Sequence, residues 1–208
     1  MQRLPDWDAA ADLLATGGVV LLPTDTLPGL HCRADLPQAV QRLVDLKRRV
    51  VTKPFLLLCG SALQALDFTT APDSRAIVYA RHCWPGPFTL IFPAGPEAPR
   101  EVTAGLPTVA LRVPEPLELR RLVTAAGFAL VSTSANLPGR PPTPDLEAAS
   151  KLFATQVDGV LTAIPAWQPV ASSAQASTLI DLTAWPPRML RKGVGNPPDW
   201  SHGSAPGG

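Results

Sequence analysis

The sequence predicts an α/β fold, a twisted mixed sheet covered by helices. Three observations predict it. Short, continuously apolar runs such as "VVLLP" (Val19 to Pro23) have the length and composition of strands buried on both faces. They alternate with segments of helical period such as residues 36–48, where Leu36, Val40, Leu43, Val44 and Leu46 recur near helical spacing. The 25 prolines and 15 glycines fall mostly between these segments and show no period, so they mark turns and rigid loops.

In chain order, Asp6 is placed to cap a short helix through Leu13 and Leu14 that Gly17-Gly18 stops. Val19 to Pro23 is the first strand, residues 36–48 an amphipathic helix and Phe55 to Cys59 the second strand. Asp73 to Trp84 reads as a helix closed by "WPGP", and Phe88 to Phe92 and Val109 to Val113 as strands. Pro116 to Ala126 is a helix stopped by Gly127, and Leu130 to Thr133 another apolar strand. A helix from Pro144 to Phe153, capped by Thr143, precedes strand Gly159 to Leu161. Thr178 to Leu182 and Met189 to Leu190 close the regular part. Residues 1–195 are expected to form one domain, and the Pro-, Gly- and Ser-rich stretch 196–208 a mobile tail.

Net charge is +1, so attraction for a polyanion has to come from a local patch rather than from the whole surface. Cys32, Cys59 and Cys83 are an odd count without a CxxC, which argues against a disulfide framework and a structural zinc site. Buried thiols in a reducing cytoplasm are expected instead. No apolar run reaches the length of a membrane span, and the acidic N-terminus lacks a secretory signal pattern. The expectation is a soluble, cytoplasmic chain.

No GxxxxGK[ST], helix-opening GxGxxG, HExxH or GxSxG is present, so P-loop, Rossmann, zincin and hydrolase-elbow chemistry are not indicated. Four polar clusters sit at strand ends instead: "PTDT" (Pro23 to Thr26), the cations Lys47, Arg49 and Lys53, "STSAN" (Ser132 to Asn136), and "STLID" (Ser177 to Asp181) followed by "LRKG" (Leu190 to Gly193). Ligands of α/β sheets bind beyond strand ends. Hydroxyls, an amide and cationic groups together suit phosphate and carboxylate oxygens. Each cluster also has a plain structural reading. The cations suit a solvated helix C-terminus, "STSAN" an ordinary ST or Asx turn, "PTDT" a turn, and Arg112 a surface strand position.

The ordered combination decides between these readings. "PTDTLPGL" (Pro23 to Leu30), "LKRRVVTKP" (Leu46 to Pro54), "WPGPFTLIFPA" (Trp84 to Ala94), "TVALRVP" (Thr108 to Pro114), "STSANLPGRPP" (Ser132 to Pro142) and "STLIDLT" (Ser177 to Thr183) together resemble the YrdC-like (TsaC) family of threonylcarbamoyl-AMP synthases, from about Gly18 to Gly193. The resemblance implies a twisted α/β fold around a basic concave cavity. It implies an enzyme that combines L-threonine, bicarbonate or CO2, and ATP into threonylcarbamoyl-adenylate and pyrophosphate. tRNA and tRNA-modification proteins would be its downstream partners. Carried over residue by residue, Lys47 and Arg49 would be catalytic, and these two with Lys53 would hold the triphosphate and the substrate carboxylate. Thr26 would bind threonine, and Thr108 and Arg112 would line the cavity. Ser132, Ser134 and Asn136 would contact nucleotide or threonine oxygens, with Ser177 and Arg191 closing the nucleotide side. Mg²⁺ would accompany the triphosphate, with Asp25 a weak candidate to approach it and turn capping the favoured role of that residue.

The chain departs from the family pattern at Pro28, where an aromatic residue is usual, at His31, usually Gly, at Val50, usually Pro, and at Pro138, usually Ser. Pro28 lacks a ring face and a backbone donor. That motivates an alternative, a non-catalytic paralogue binding tRNA or double-stranded RNA through the same cavity.

Overall fold

The computed structural model describes residues 1–47, 53–162 and 175–199. Seven helices and ten strands are described, in the order β1 (Gln2–Leu4), α1 (Trp7–Ala15), β2 (Val20–Leu22), β3 (Gly29–Arg33), α2 (Pro37–Leu46), β4 (Leu56–Leu58), α3 (Ala62–Asp67), α4 (Ser74–Cys83), β5 (Phe88–Pro93), α5 (Arg100–Thr103), β6 (Thr108–Arg112), α6 (Leu117–Ala125), β7 (Leu130–Ser134), α7 (Leu146–Phe153), β8 (Gly159–Leu161), β9 (Thr178–Asp181) and β10 (Arg188–Arg191).

The strands form one sheet in the order β1-β8-β2-β3-β7-β4-β6-β5-β9-β10. It is mixed, as expected: β4 runs parallel to β6 and β5 to β9, whereas β3 and β4 both run antiparallel to β7. The expected apolar strands β2, β4 and β8 are fully or largely buried. Asp6 caps α1 by accepting from Ala9 N at 2.8 Å, and Asp73 caps α4 by accepting from Arg75 N at 2.8 Å.

Several local expectations are corrected. The helix expected over 36–48 ends at Leu46, with Lys47 as its C-cap. Thr143 does not cap α7. Asp145 does, accepting from Glu147 N at 2.8 Å and Ala148 N at 3.3 Å, while the Thr143 hydroxyl accepts from Asp145 N one turn earlier. A carboxylate at that position engages two free amides at once, which a hydroxyl two residues upstream cannot reach. Strands β1 and β3 and helices α3 and α5 were not expected. The tail expected from residue 196 lies mostly outside the described residues.

Alternation along the strands sends neighbouring side chains to opposite faces. Leu21, Leu30, Leu57, Val131, Leu111 and Leu90 point to one face, where α2, α3, α4, α5 and α7 cover them in the larger core. Val20, Leu22, Leu58 and Leu130 point to the other, where, among the described helices, α1 and α6 pack through Ala10, Ala11, Leu14, Leu119, Leu122 and Val123. These two helices cover one end of that face. The remainder carries a mixture of hydroxyl, cationic and apolar side chains, and no described helix covers it.

Candidate active site

The open part of the sheet encloses a cavity of about 370 Å³. Register explains its lining. Gly29 on β3 lies opposite Ser134 on β7, Ser132 opposite Leu56 on β4, Leu56 opposite Ala110 on β6, and Ala110 opposite Ile91 on β5. All of these project to the same side, together with Arg112, Thr89 and Leu179. Along β7 the pattern Leu130, Ser132, Ser134 therefore runs from the helix-covered core into the cavity.

The β2–β3 turn forms one wall. Thr24 Oγ1 donates to Leu27 O at 2.8 Å and lies 3.1 Å from Thr26 Oγ1. Arg112 Nη1 donates to Thr26 Oγ1 at 2.8 Å, and its Nη2 stands 2.6 Å from Asp25 Oδ1. Arg112 is 3% exposed, so it is not the surface strand residue that the sequence also allowed. The Asp25 contact is short but not aligned as a hydrogen bond. It is a close ion contact, with the second carboxylate oxygen accepting from Glu115 N at 3.2 Å.

The opposite wall comes from β9 and β10. Thr89 Oγ1 and Ser177 Oγ are 2.7 Å apart. Arg191 donates through Nη2 to Ser177 O at 2.9 Å. Partial burial, and then repulsion from Arg112, hold the Arg191 guanidinium below its ordinary pKa. Gly193 permits this wall to close: a Cβ there would stand 2.2 Å from Ala176 O.

Of the expected residues, Thr26, Arg112, Ser132, Ser134, Ser177 and Arg191 line this cavity together. Thr108 falls on the same face of β6 as Ala110 and Arg112 but lies outside the lining, at the strand's first residue. Lys53 is exposed and also outside it, although Pro54, Phe55 and Leu56 contribute. Arg49 lies outside the described residues. Lys47 is directed at the turn after β7: Nζ donates to Ser134 O at 2.9 Å, Asn136 O at 2.6 Å and Asn136 Oδ1 at 2.9 Å. Asn136 accepts a further bond from Ser134 Oγ at 2.7 Å and donates to Arg140 O at 2.7 Å. Lys47 and Asn136 thus brace the turn that carries Ser134. Among the described residues, the guanidiniums that line the chamber are those of Arg112 and Arg191.

Pro28 is not among the lining residues. Its carbonyl accepts from Ala135 N at 2.8 Å and ties the β2–β3 turn to the end of β7. Thr24, Gly29, Thr89, Ala110 and Leu179 were not singled out from sequence. The period of two finds two of them: once Arg112 and Ser177 are cavity residues, Ala110 and Leu179 follow.

Asp25, the candidate Mg²⁺ ligand, is 2% exposed and placed against Arg112 rather than free to hold a cation, and no group of three His, Cys, Asp or Glu side chains among the described residues could hold one. All three cysteines are free and buried, as expected. Among the described residues no helix is long and apolar enough to cross a membrane.

A family model covering Sua5, YciO and YrdC, described as telomere recombination, matches residues 12–193. A Xanthomonas campestris protein named threonylcarbamoyl-AMP synthase is 38% identical over 163 residues, 77% of this chain and 87% of that protein. The crystal structure of Pyrococcus abyssi Sua5 complexed with L-threonine superposes with a TM-score of 0.82 at 30% identity, over 90% of this chain and 54% of that one. This chain therefore spans about half the length of the archaeal protein. Escherichia coli YciO superposes with a TM-score of 0.79 at 27% identity, over 94% and 96% of the two chains.

Proposed function

The chain belongs to the Sua5, YciO and YrdC family and is related to threonylcarbamoyl-AMP synthases, enzymes that make threonylcarbamoyl-adenylate, and on that premise we propose that it forms this product and pyrophosphate from L-threonine, bicarbonate or CO2, and ATP. The product would serve threonylcarbamoylation of the tRNA adenosine next to the anticodon, through partner proteins in the cytoplasm. The observation that carries the reading is the sheet face beyond α1 and α6, where two guanidiniums and the hydroxyls of Thr26, Ser132, Ser134 and Ser177 converge on one cavity.

The chemistry explains why such a chamber suffices. The threonine amine attacks CO2, forming an N–C bond and releasing a proton. A carbamate oxygen then attacks the α-phosphorus, and the P–O bond to pyrophosphate breaks. Nucleophile and electrophile are both anionic, so fixed cations and oriented donors lower the cost of their approach and of the charge gathering on the leaving group. Arg112 and Arg191, on opposite walls, supply that field. Lys47, Arg49 and Lys53 extend it along the triphosphate, and Thr108 and Asn136 sit at the margin. Holding both reactants in attack geometry supplies on the order of 7–11 kcal/mol in favourable cases, without a side-chain nucleophile.

The test is pyrophosphate release from ATP by the purified protein. Release that requires both threonine and bicarbonate supports the reading. No ATP turnover, with RNA binding that falls steeply with salt, would replace it by the binding-module alternative.

A further inference from the structure

His31 lies at the border between the two halves of the inner sheet face. It pairs in register with Val20 on β2 and Ser132 on β7, so all three side chains share that face. Below it pack Leu22, Leu58 and Leu130 under α1 and α6. Above it is the cavity. The imidazole is 0% exposed and folds back over Gly29, where a Cβ would stand 2.6 Å from His31 Cε1. Nε2 is 3.1 Å from Ser132 Oγ. Ser132 itself lines the cavity, whereas His31 does not.

We propose that His31 is a positioning residue: its neutral imidazole accepts the Ser132 hydroxyl proton at Nε2 and so presents the Ser132 oxygen lone pairs to the amine of the amino-acid substrate. This rests on the reading of the cavity given above.

The ring proton is taken to be on Nδ1, the assignment that the ¹⁵N measurement below checks. The carbonyls of Gly29 and Val20 lie beside the ring and, being acceptors, favour an N–H there. Nδ1 has no aligned hydrogen-bond partner among the described residues, and Ser132 stands within hydrogen-bond distance of Nε2. Burial keeps the ring neutral, with its pKa lowered to about 4. With Nδ1 protonated, Nε2 carries the lone pair and Ser132 must donate. A serine free to rotate would turn its O–H toward the nearest anion in a chamber that holds ATP. Committed to His31, it offers only acceptor density, which an amine N–H can use and a phosphate cannot. The device sorts the two substrates: it aids the amine end and is indifferent to the triphosphate.

The test is a mutant cycle read by threonine-dependent pyrophosphate release, with KM for threonine and for ATP measured separately. His31→Leu keeps bulk but removes the acceptor. It is expected to raise the threonine KM on the order of tenfold, as for a lost hydrogen bond of ordinary strength, with the ATP KM unchanged. His31→Gln, which can place an amide oxygen near the Nε2 position, is expected to recover most of that loss. Ser132→Ala is expected to cost on the order of tenfold in the wild type but less than twofold in the His31→Leu background. An unchanged threonine KM in His31→Leu, or the same Ser132→Ala cost in both backgrounds, would overturn the proposal. If His31→Leu does not fold, the ¹⁵N spectrum of the wild-type imidazole decides. A proton on Nδ1 and a pyridine-type Nε2 at neutral pH support the pair, and a proton on Nε2 refutes it. A wild type without threonine-dependent turnover would sink the functional reading by itself, while the spectrum would still judge the His31–Ser132 pair.

Discussion

Arg112 and Asp25 meet at 2.6 Å with their side chains only 4% and 1% exposed, so the cavity wall is built on a buried ion pair. Each charge is tolerable there only because of the other. Asp25→Ala strands the guanidinium and is expected to lower stability by about 3–5 kcal/mol. Urea unfolding checks this. The double change Asp25→Leu with Arg112→Met should cost less than Asp25→Ala alone, because no uncompensated charge remains.

Lys47 acts on the turn after β7. Lys47→Met keeps the stem but removes the donor from two carbonyls and the Asn136 amide oxygen. Loss of a charged donor of this kind costs about 1.5–3 kcal/mol. The expected result is faster amide exchange at Ala135 and Asn136, together with lost activity. Exchange unchanged from the wild type would show that the brace is unimportant.

Gly193 lets the 176–178 backbone cross beneath it. A Cβ at this position would meet Ala176 O at 2.2 Å and the Ser177 carbonyl carbon at 2.4 Å, both backbone atoms that cannot rotate away. Gly193→Ala is therefore expected to displace the wall carrying Ser177 and Arg191. Melting should fall by several degrees and ATP affinity should drop, as calorimetry would record.

His31 makes stability depend on pH in a defined window. Its ordinary pKa of 6.5 falls to about 4 in the folded chain. Above pH 6.5 the ring is neutral folded or unfolded, and the full stability is present. As the pH falls from 6.5 toward 4, only the unfolded chain takes up this proton, so stability is lost, on the order of 3 kcal/mol in all. Unfolding curves across this window should show a smaller acid loss in His31→Leu than in the wild type.

Much of this was legible in the sequence where local chemistry and tertiary structure agree. "VVLLP" and "LVSTS" read as strands because their apolar residues are buried on both faces at one end. Strand β3, "GLHCR", did not, since Gly, His and Arg break the apolar run. It becomes a strand by pairing with β2 on one side and β7 on the other. Helix α3 carried an unread signal, a capping box in which Ser61 accepts from Gln64 N and Gln64 accepts from Gly60 N. The Asp25–Arg112 pair joins positions 87 apart in sequence, and nothing local announces it. The cluster Lys47 to Lys53 drew attention because its charges are contiguous, whereas Arg112 and Arg191, the guanidiniums that line the cavity among the described residues, come from separate strands, β6 and β10, and share no local signal.

A second concavity sharpens the decisive test. A groove of about 650 Å³ runs between α2 and the turn after β7, lined by Arg42, Leu46, Leu137, Pro138 and Arg140. The most direct measurement is a crystal structure of the protein with L-threonine and a non-hydrolysable ATP analogue. The account predicts threonine in the sheet cavity, within hydrogen-bond distance of Ser132, with the α-phosphate of the analogue between Arg112 and Arg191. Threonine bound only in the α2 groove, with the sheet cavity empty, would contradict it.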